Sequence, residues 1–179
     1  MTATDGYKQI LVKTWFLIFE GTLPDIPSTN SILLERWENP EAHSYLELYS
    51  EIGNPWGWSG RLRKSSEELN EILRSANNEV WLFKVGEVTA GFFELVHMTS
   101  ATEVLYLGLK PEWIGKGLGD KLIQSAIAKA GQTGKKVWLH TCEYDHPSAL
   151  SAYLKAGFKI EKELITQEYY PLHYEPSNF

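Results

Sequence analysis

The stretch Tyr106-Leu-Gly-Leu-Lys-Pro-Glu-Trp-Ile-Gly-Lys-Gly-Leu-Gly-Asp-Lys-Leu122 reads as an apolar strand, a short Pro-containing turn, a glycine-dense loop and a helix with an apolar stripe. Three glycines alternate at Gly115, Gly117 and Gly119, where the helix begins. Glycine permits positive φ and lets a backbone come close to a ligand. The first turn of a helix adds unpaired N–H groups and the positive end of the macrodipole. Together they predict a site for an anionic group, most often phosphate.

Composition narrows the class. One domain over residues 1–179 is the simplest reading of the length, which suffices for a sizeable core. With 43% hydrophobic and 22% charged residues the chain reads as globular. A net charge of −6 argues against a nucleic-acid partner, and the basic cluster Arg61-Leu-Arg63-Lys64 reads as a solvated loop. The single cysteine, Cys142, excludes an intramolecular disulfide and reads as a small buried hydrophobe. The five histidines, at 43, 97, 140, 146 and 173, show no ligand spacing, so no metal is expected. The apolar run Ile10 to Phe19 is interrupted by Lys13 and falls far short of the roughly 20 residues a spanning helix needs. No small-residue cleavage pattern follows it before Pro24. It is expected to be a strand, in a cytoplasmic protein without a membrane partner.

Periodicity organises the rest. Lys8 to Phe19 and Ser31 to Trp37 read as strands, separated by a connection from Gly21 to Ser28. Asn39-Pro40-Glu41 predicts a helix start with Asn39 as N-cap, burying Ala42, Tyr45, Leu46, Tyr49 and Ile52 and closing at Gly53. Ser65-x-x-Glu68 is a capping box for a helix bearing Leu69, Ile72, Leu73 and Ala76. Val80 to Val85 and Val88 to Val96 form a hairpin, with Gly86 suiting a type II′ turn. A strand from Glu103 to Leu109 runs into the glycine loop, and Leu118 to Ala130 shows a helical stripe. Val137 to Cys142 is a strand, His146-Pro147 opens a helix stopped by Gly157, and two strands, Phe158 to Leu164 and Ile165 to Tyr170, follow. This order predicts an α/β fold with a central mixed, mostly antiparallel sheet flanked by helices.

Two common phosphate motifs are absent. A Walker loop, Gly-x-x-x-x-Gly-Lys-Ser/Thr, does not occur. The dinucleotide fingerprint fails on spacing, Gly115-x-Gly117-x-Gly119, and residue 140 lies in Trp138-Leu-His-Thr141 where its acid should stand. Strand, Pro turn, x-x-Gly-x-Gly loop and helix instead resemble the acyl-CoA pyrophosphate loop of the GNAT acetyltransferase superfamily. Downstream, His146-Pro-Ser-Ala-Leu-Ser-Ala-Tyr-Leu-Lys-Ala-Gly-Phe158 resembles the family segment Asn-x-x-Ala-x-x-x-Tyr-x-x-x-Gly-Phe. The likeness covers 80–162.

The resemblance implies acetyl-CoA as co-substrate and a small-molecule amine as acceptor. Backbone groups of Leu107, Gly108 and Leu109 would pair with the pantetheine arm, the Leu107 N–H polarising the thioester carbonyl. The amides of Gly115, Lys116, Gly117, Leu118, Gly119 and Asp120 would hold the pyrophosphate. The chain departs from the family at two positions: Ile114 replaces the usual Arg or Gln, with Lys116 as a substitute contact, and His146 replaces Asn. His146 is open to two roles, a hydrogen bond to CoA or a helix N-cap. Tyr153 matches the family tyrosine that protonates the leaving thiolate.

Transfer to an amine also needs a base, since an alkylammonium of pKa near ~10 must first lose its proton. Glu103 stands where some family members place a general-base glutamate, and strand alternation sets it on one face with 105, 107 and 109 unless a bulge intervenes. Glu94 is the second candidate, with His140 and Asp145 behind it. Trp56 and Trp58, in a turn-rich loop, together with Tyr49 and Tyr169, are candidate acceptor-pocket walls. The expected function is N-acetyl transfer by direct reaction in a ternary complex. A non-catalytic acyl-CoA-binding regulatory module and a protein acetyltransferase are the alternatives. The strand-rich C-terminal end leaves room for a homodimer.

Overall fold

A computed structural model describes residues 6–26 and 31–175; the predicted connection up to Ser28 therefore ends outside the described residues. Strands β1 (Tyr7–Phe19), β2 (Ile32–Arg36), β3 (Asn78–Val85), β4 (Val88–His97), β5 (Ala101–Leu109), β6 (Lys136–Cys142) and β7 (Phe158–Pro171) form one sheet in the order β2-β3-β4-β5-β6-β1-β7. Only β5 and β6 run parallel. Helices α1 (Ala42–Gly53), α2 (Ser66–Arg74), α3 (Gly119–Gly131) and α4 (Ala149–Lys155) flank it. The alternation of β4 divides the core. Phe93 and Leu95 meet the stripe Leu122, Ile123, Ala126, Ile127 and Ala130 of α3 on one face. Phe92 meets Tyr45, Tyr49 and Ile52 of α1 and Leu69 and Leu73 of α2 on the other. Fully burying each of the Leu, Ile and Phe side chains contributes about 1.5–3 kcal/mol. Among the described residues no helix is long and apolar enough to cross a membrane.

Local signals mostly act as expected. The capping box closes, Glu68 N–H donating to Ser65 Oγ at 3.2 Å and Ser65 N–H to Glu68 Oε2 at 2.9 Å. Gly86 has φ +60 while Glu87 is not left-handed, as a type II′ turn requires. Three expectations are corrected. Asn39 is left-handed (φ +47) and outside α1, whose N-cap is Glu41 without a side-chain bond. The orphan N–H of Ala42 is satisfied instead by Asn70 Oδ1 of α2 at 3.1 Å, a long-range cap that local pattern cannot show. Helix α2 ends at Arg74, leaving Ala76 exposed. The two C-terminal strands are one, because β7 pairs with β1 along its length and a bulge at Phe16/Leu17 absorbs the irregularity.

The Arg61 segment is not a solvated loop. Arg61 is 8% exposed and its guanidinium pairs with the fully buried Glu94, which also accepts from Tyr45 Oη at 2.5 Å. Burial alone would lower the Arg61 pKa, but the charge of Glu94, the Tyr45 hydroxyl and the hydrogen bond to Glu94 together raise it. Glu94→Ala leaves a buried guanidinium unpaired. It is expected to lower unfolding free energy by roughly 3–5 kcal/mol in urea titrations, and a loss within the ±0.5 kcal/mol range of surface changes would contradict this assignment.

Candidate active site

Strands β5 and β6 pair only through Ala101↔Lys136, Thr102↔Val137 and Glu103↔Trp138, and then part. Beyond that point they line a cleft of about 770 Å³. One end is bounded by Leu107–Leu109, the glycine loop and α4; the other by Trp56, Trp58, Arg63, His140, Glu168 and Tyr169.

The first end has an anion cradle and an open strand edge. Gly115 and Gly117 have φ +78 and +71, and a Cβ placed on either, or on Gly119, would meet nothing within 4 Å. These two positions need glycine for conformation, and all three leave room for a ligand against the backbone. The N–H groups of Gly119, Asp120 and Lys121 precede the first bond of α3, from Leu122 N–H to Leu118 O at 2.9 Å. The Lys110 N–H bonds Ala90 O across to β4 at 2.9 Å. Backbone direction alternates along a strand, so the Gly108 N–H also turns to β4 while those of Leu107 and Leu109 turn toward the cleft.

The side chains around the cradle divide between the cleft and protein partners. Ile114 lines the cleft and offers it no polar atom. The Lys116 ammonium lies 4.8 Å from the Trp113 ring centroid and does not line the cleft. The Leu118 side chain packs on the core. Asp120 bonds Lys155 of α4 at 2.5 Å, tying the two helices together beside the cradle. His146 lines the cleft and its Nδ1 accepts from Ser148 N–H at 3.2 Å, so the ring caps the turn into α4.

A bulge decides the second end. Register shifts between Glu94/Leu95 on β4, opposite Tyr106 and Val104 on β5. Simple alternation therefore fails: Glu103 shares a face with Tyr106 and Gly108, while Leu107 and Leu109 share the opposite face with Val104. Glu103 is 6% exposed and does not line the cleft. Its Oε1 lies 3.1 Å from Nδ1 of His140, which does line it. An ionised carboxylate only accepts, so in the neutral ring Nδ1 carries the hydrogen and Nε2 the lone pair. Burial would lower the His140 pKa, but the hydrogen bond and charge of Glu103, followed by the charges of Asp145 and Glu168, raise it.

The remaining candidates separate. Glu94 lies outside the cleft, its two oxygens engaged by Arg61 and Tyr45. Tyr49 lines the cleft from a fully buried position, its ring 5.5 Å from Trp58 and 5.0 Å from Tyr106. Trp58 forms the wall itself, and Trp56 meets the His146 ring at 5.0 Å. Tyr153 lines the cleft, and burial, then Asp145, raises its pKa, so the phenol holds its proton at neutral pH. Asp145 Oδ2 accepts from Thr141 Oγ1 at 2.6 Å and Cys142 N–H at 2.9 Å, shaping the turn after β6. Burial and Asp145 push the Cys142 thiol up to about 11, which leaves no useful thiolate near neutrality. Sequence reasoning missed Arg63 and Glu168. The first was masked by its basic cluster, the second by the misread division of β7.

A cleft between parting parallel strands, a glycine cradle at a helix start and a tyrosine at the facing helix define a thioester-dependent acyltransferase. The Acetyltransferase (GNAT) family model matches residues 28–158, and the chain belongs to this family of acyl-CoA-dependent N-acetyltransferases. It is similar to a spermidine N(1)-acetyltransferase of Thermoplasma acidophilum, 30% identical over 146 residues that cover 78% of this chain and 86% of the relative. A mycothiol acetyltransferase of Corynebacterium glutamicum is 25% identical over 84% of this chain and 50% of its own length. The crystal structure of the PaiA N-acetyltransferase from T. acidophilum in complex with coenzyme A superposes with a TM-score of 0.59 at 26% identity, covering 78% of this chain and 99% of that one.

The open cradle yields a direct expectation. Gly117→Ala, by placing a methyl group where a pyrophosphate approaches, is expected to weaken CoA binding about tenfold or more, as loss of a charge-assisted hydrogen bond does. Calorimetric titration with CoA measures it; unchanged affinity would mean that the pyrophosphate sits elsewhere.

Proposed function

We propose that the protein transfers the acetyl group of acetyl-CoA to the primary amine of a small molecule, directly, in a ternary complex, with His140 as general base. The observation that carries this reading is the Glu103–His140 bond at 3.1 Å, which leaves Nε2 of the neutral ring, in a side chain that lines the cleft, as the basic nitrogen. The small-amine class is supported by the two relatives, whose names specify spermidine and mycothiol.

Each step then has a residue. His140 Nε2 takes the proton of the attacking amine, while Glu103, as a positioning residue, holds the tautomer and stabilises the imidazolium. The new C–N bond forms as the thioester carbonyl oxygen gains charge, which the Leu107 N–H at the cleft edge is directed to offset. Loss of the C–S bond leaves a thiolate, and Tyr153 supplies its proton. A second oxyanion donor is not needed for this assignment, and Glu94 has no step in it.

pH dependence tests the assignment with a definite sign. A base works when unprotonated, so kcat/KM falls as pH drops through the His140 pKa. Glu103→Gln removes the carboxylate that raises that pKa most, so the acid limb of the profile is expected to move to lower pH while the rate falls. An acid limb that stays in place removes His140 from the role. His140→Gln is expected to lower kcat about 10²–10⁴-fold. Tyr153→Phe should lower kcat by about 10²-fold or more while leaving the acid limb where it is; full activity in stopped-flow thiol release would exclude the phenol as proton donor.

A further inference from the structure

Two opposite charges line the acceptor end without neutralising each other. Arg63 and Glu168 both face the cleft, and neither makes an ion pair or side-chain hydrogen bond among the described residues. Glu168 is exposed at the cleft and Arg63 is half-buried, while exposed charges elsewhere do pair, as in Lys159–Glu20 and Lys13–Glu163.

Arg63 is also held against an aromatic ring. Its guanidinium lies 3.5 Å from the Tyr169 ring centroid, and its Nε is enclosed without an acceptor. Ser59 fixes both halves of this stack, accepting from the Arg63 N–H at 3.1 Å through its carbonyl and donating from Oγ to Tyr169 O at 2.5 Å. Stacking occupies the face of a guanidinium and leaves its edge of N–H donors, which matches the two oxygens of a carboxylate. Glu168, next in sequence to Tyr169, contributes to the negative potential at His140 together with Asp145. That potential suits an ammonium arriving to be deprotonated.

From this separation we infer that the acceptor is an amino-acid-like ampholyte, its amine presented to His140 beside Glu168 and its carboxylate held edge-on by Arg63 on the Tyr169 ring. The inference rests on the proposed reading that the amine reacts at the His140 end. It distinguishes this chain from an enzyme for polyamines, because the fixed cation at Arg63 disfavours a second ammonium in the same cavity.

The test is a panel of α- and ω-amino acids, each assayed beside its decarboxylated amine, with wild type, Arg63→Ala and Arg63→Lys. Steady-state kcat/KM and equilibrium binding to the enzyme saturated with CoA are both measured. Wild type is expected to favour the carboxylate-bearing member of at least one pair by about tenfold or more, the worth of a hydrogen bond to a charged group. Arg63→Ala brings that ratio close to one, and Arg63→Lys, which keeps the charge and loses the fork, falls between. A wild-type preference for the decarboxylated amines, a ratio that survives in Arg63→Ala, or failure to bind any member of the panel each overturns the inference. Failure of the underlying reading looks different: no thiol release with any amine, or an acid limb insensitive to Glu103→Gln.

Discussion

The parting of β5 from β6 after Glu103↔Trp138 is the constraint on which the rest depends. A sheet that stayed paired would satisfy its own backbone along both strands and leave no place for a ligand. Because pairing stops after three residues, the N–H groups of Leu107 and Leu109 face an open cleft, and the glycine loop and α4 close around the same space. The last paired residue of β5 is also the one that reaches across to His140. The place where the sheet divides and the place where the proposed base is oriented are therefore the same, and the bulge opposite Glu94/Leu95 turns Glu103 toward the face of His140.

Behind the cleft stands a polar support. Arg61, Glu94, Tyr45 and the Tyr49–Tyr106 ring pair form a buried layer between α1 and the sheet. This layer anchors the segment that carries Trp58 and Arg63 over the opening. Close contacts reinforce it: a Cβ at Gly60 would lie 2.3 Å from Tyr106 Oη, and one at Gly108 would lie 2.4 Å from Ile52 Cγ2. A buried ion pair contributes little net stability, but its geometry is demanding, and here it fixes a loop.

Much of this was legible in the chain. The glycine spacing and the Ala-x-x-x-Tyr segment identified the family, and element types followed from periodicity and turn chemistry. Misreadings share a physical cause. Asn39 looked like a cap because capping rules are local, whereas the cap of α1 comes from Asn70 across the fold. Alternation sets Glu103 on the face of Leu107 and Leu109, and the bulge that moves it to the other face cannot be read from a strand's own residues. His140 ranked low because its partner is 37 residues away in sequence and adjacent only in the sheet. Arg63 and Glu168 carried no motif; what marks them is the lack of a partner inside a cavity, which only the folded chain displays.

The central claim is that the cleft presents a neutral His140 Nε2 to the acceptor. A crystal structure of a dead-end complex with CoA and an acceptor amine tests it most directly. The account predicts the amine nitrogen within about 2.6–3.2 Å of His140 Nε2, or joined to it by one water. An amine bonded instead to Glu103, or bound where His140 cannot reach it, would contradict the account.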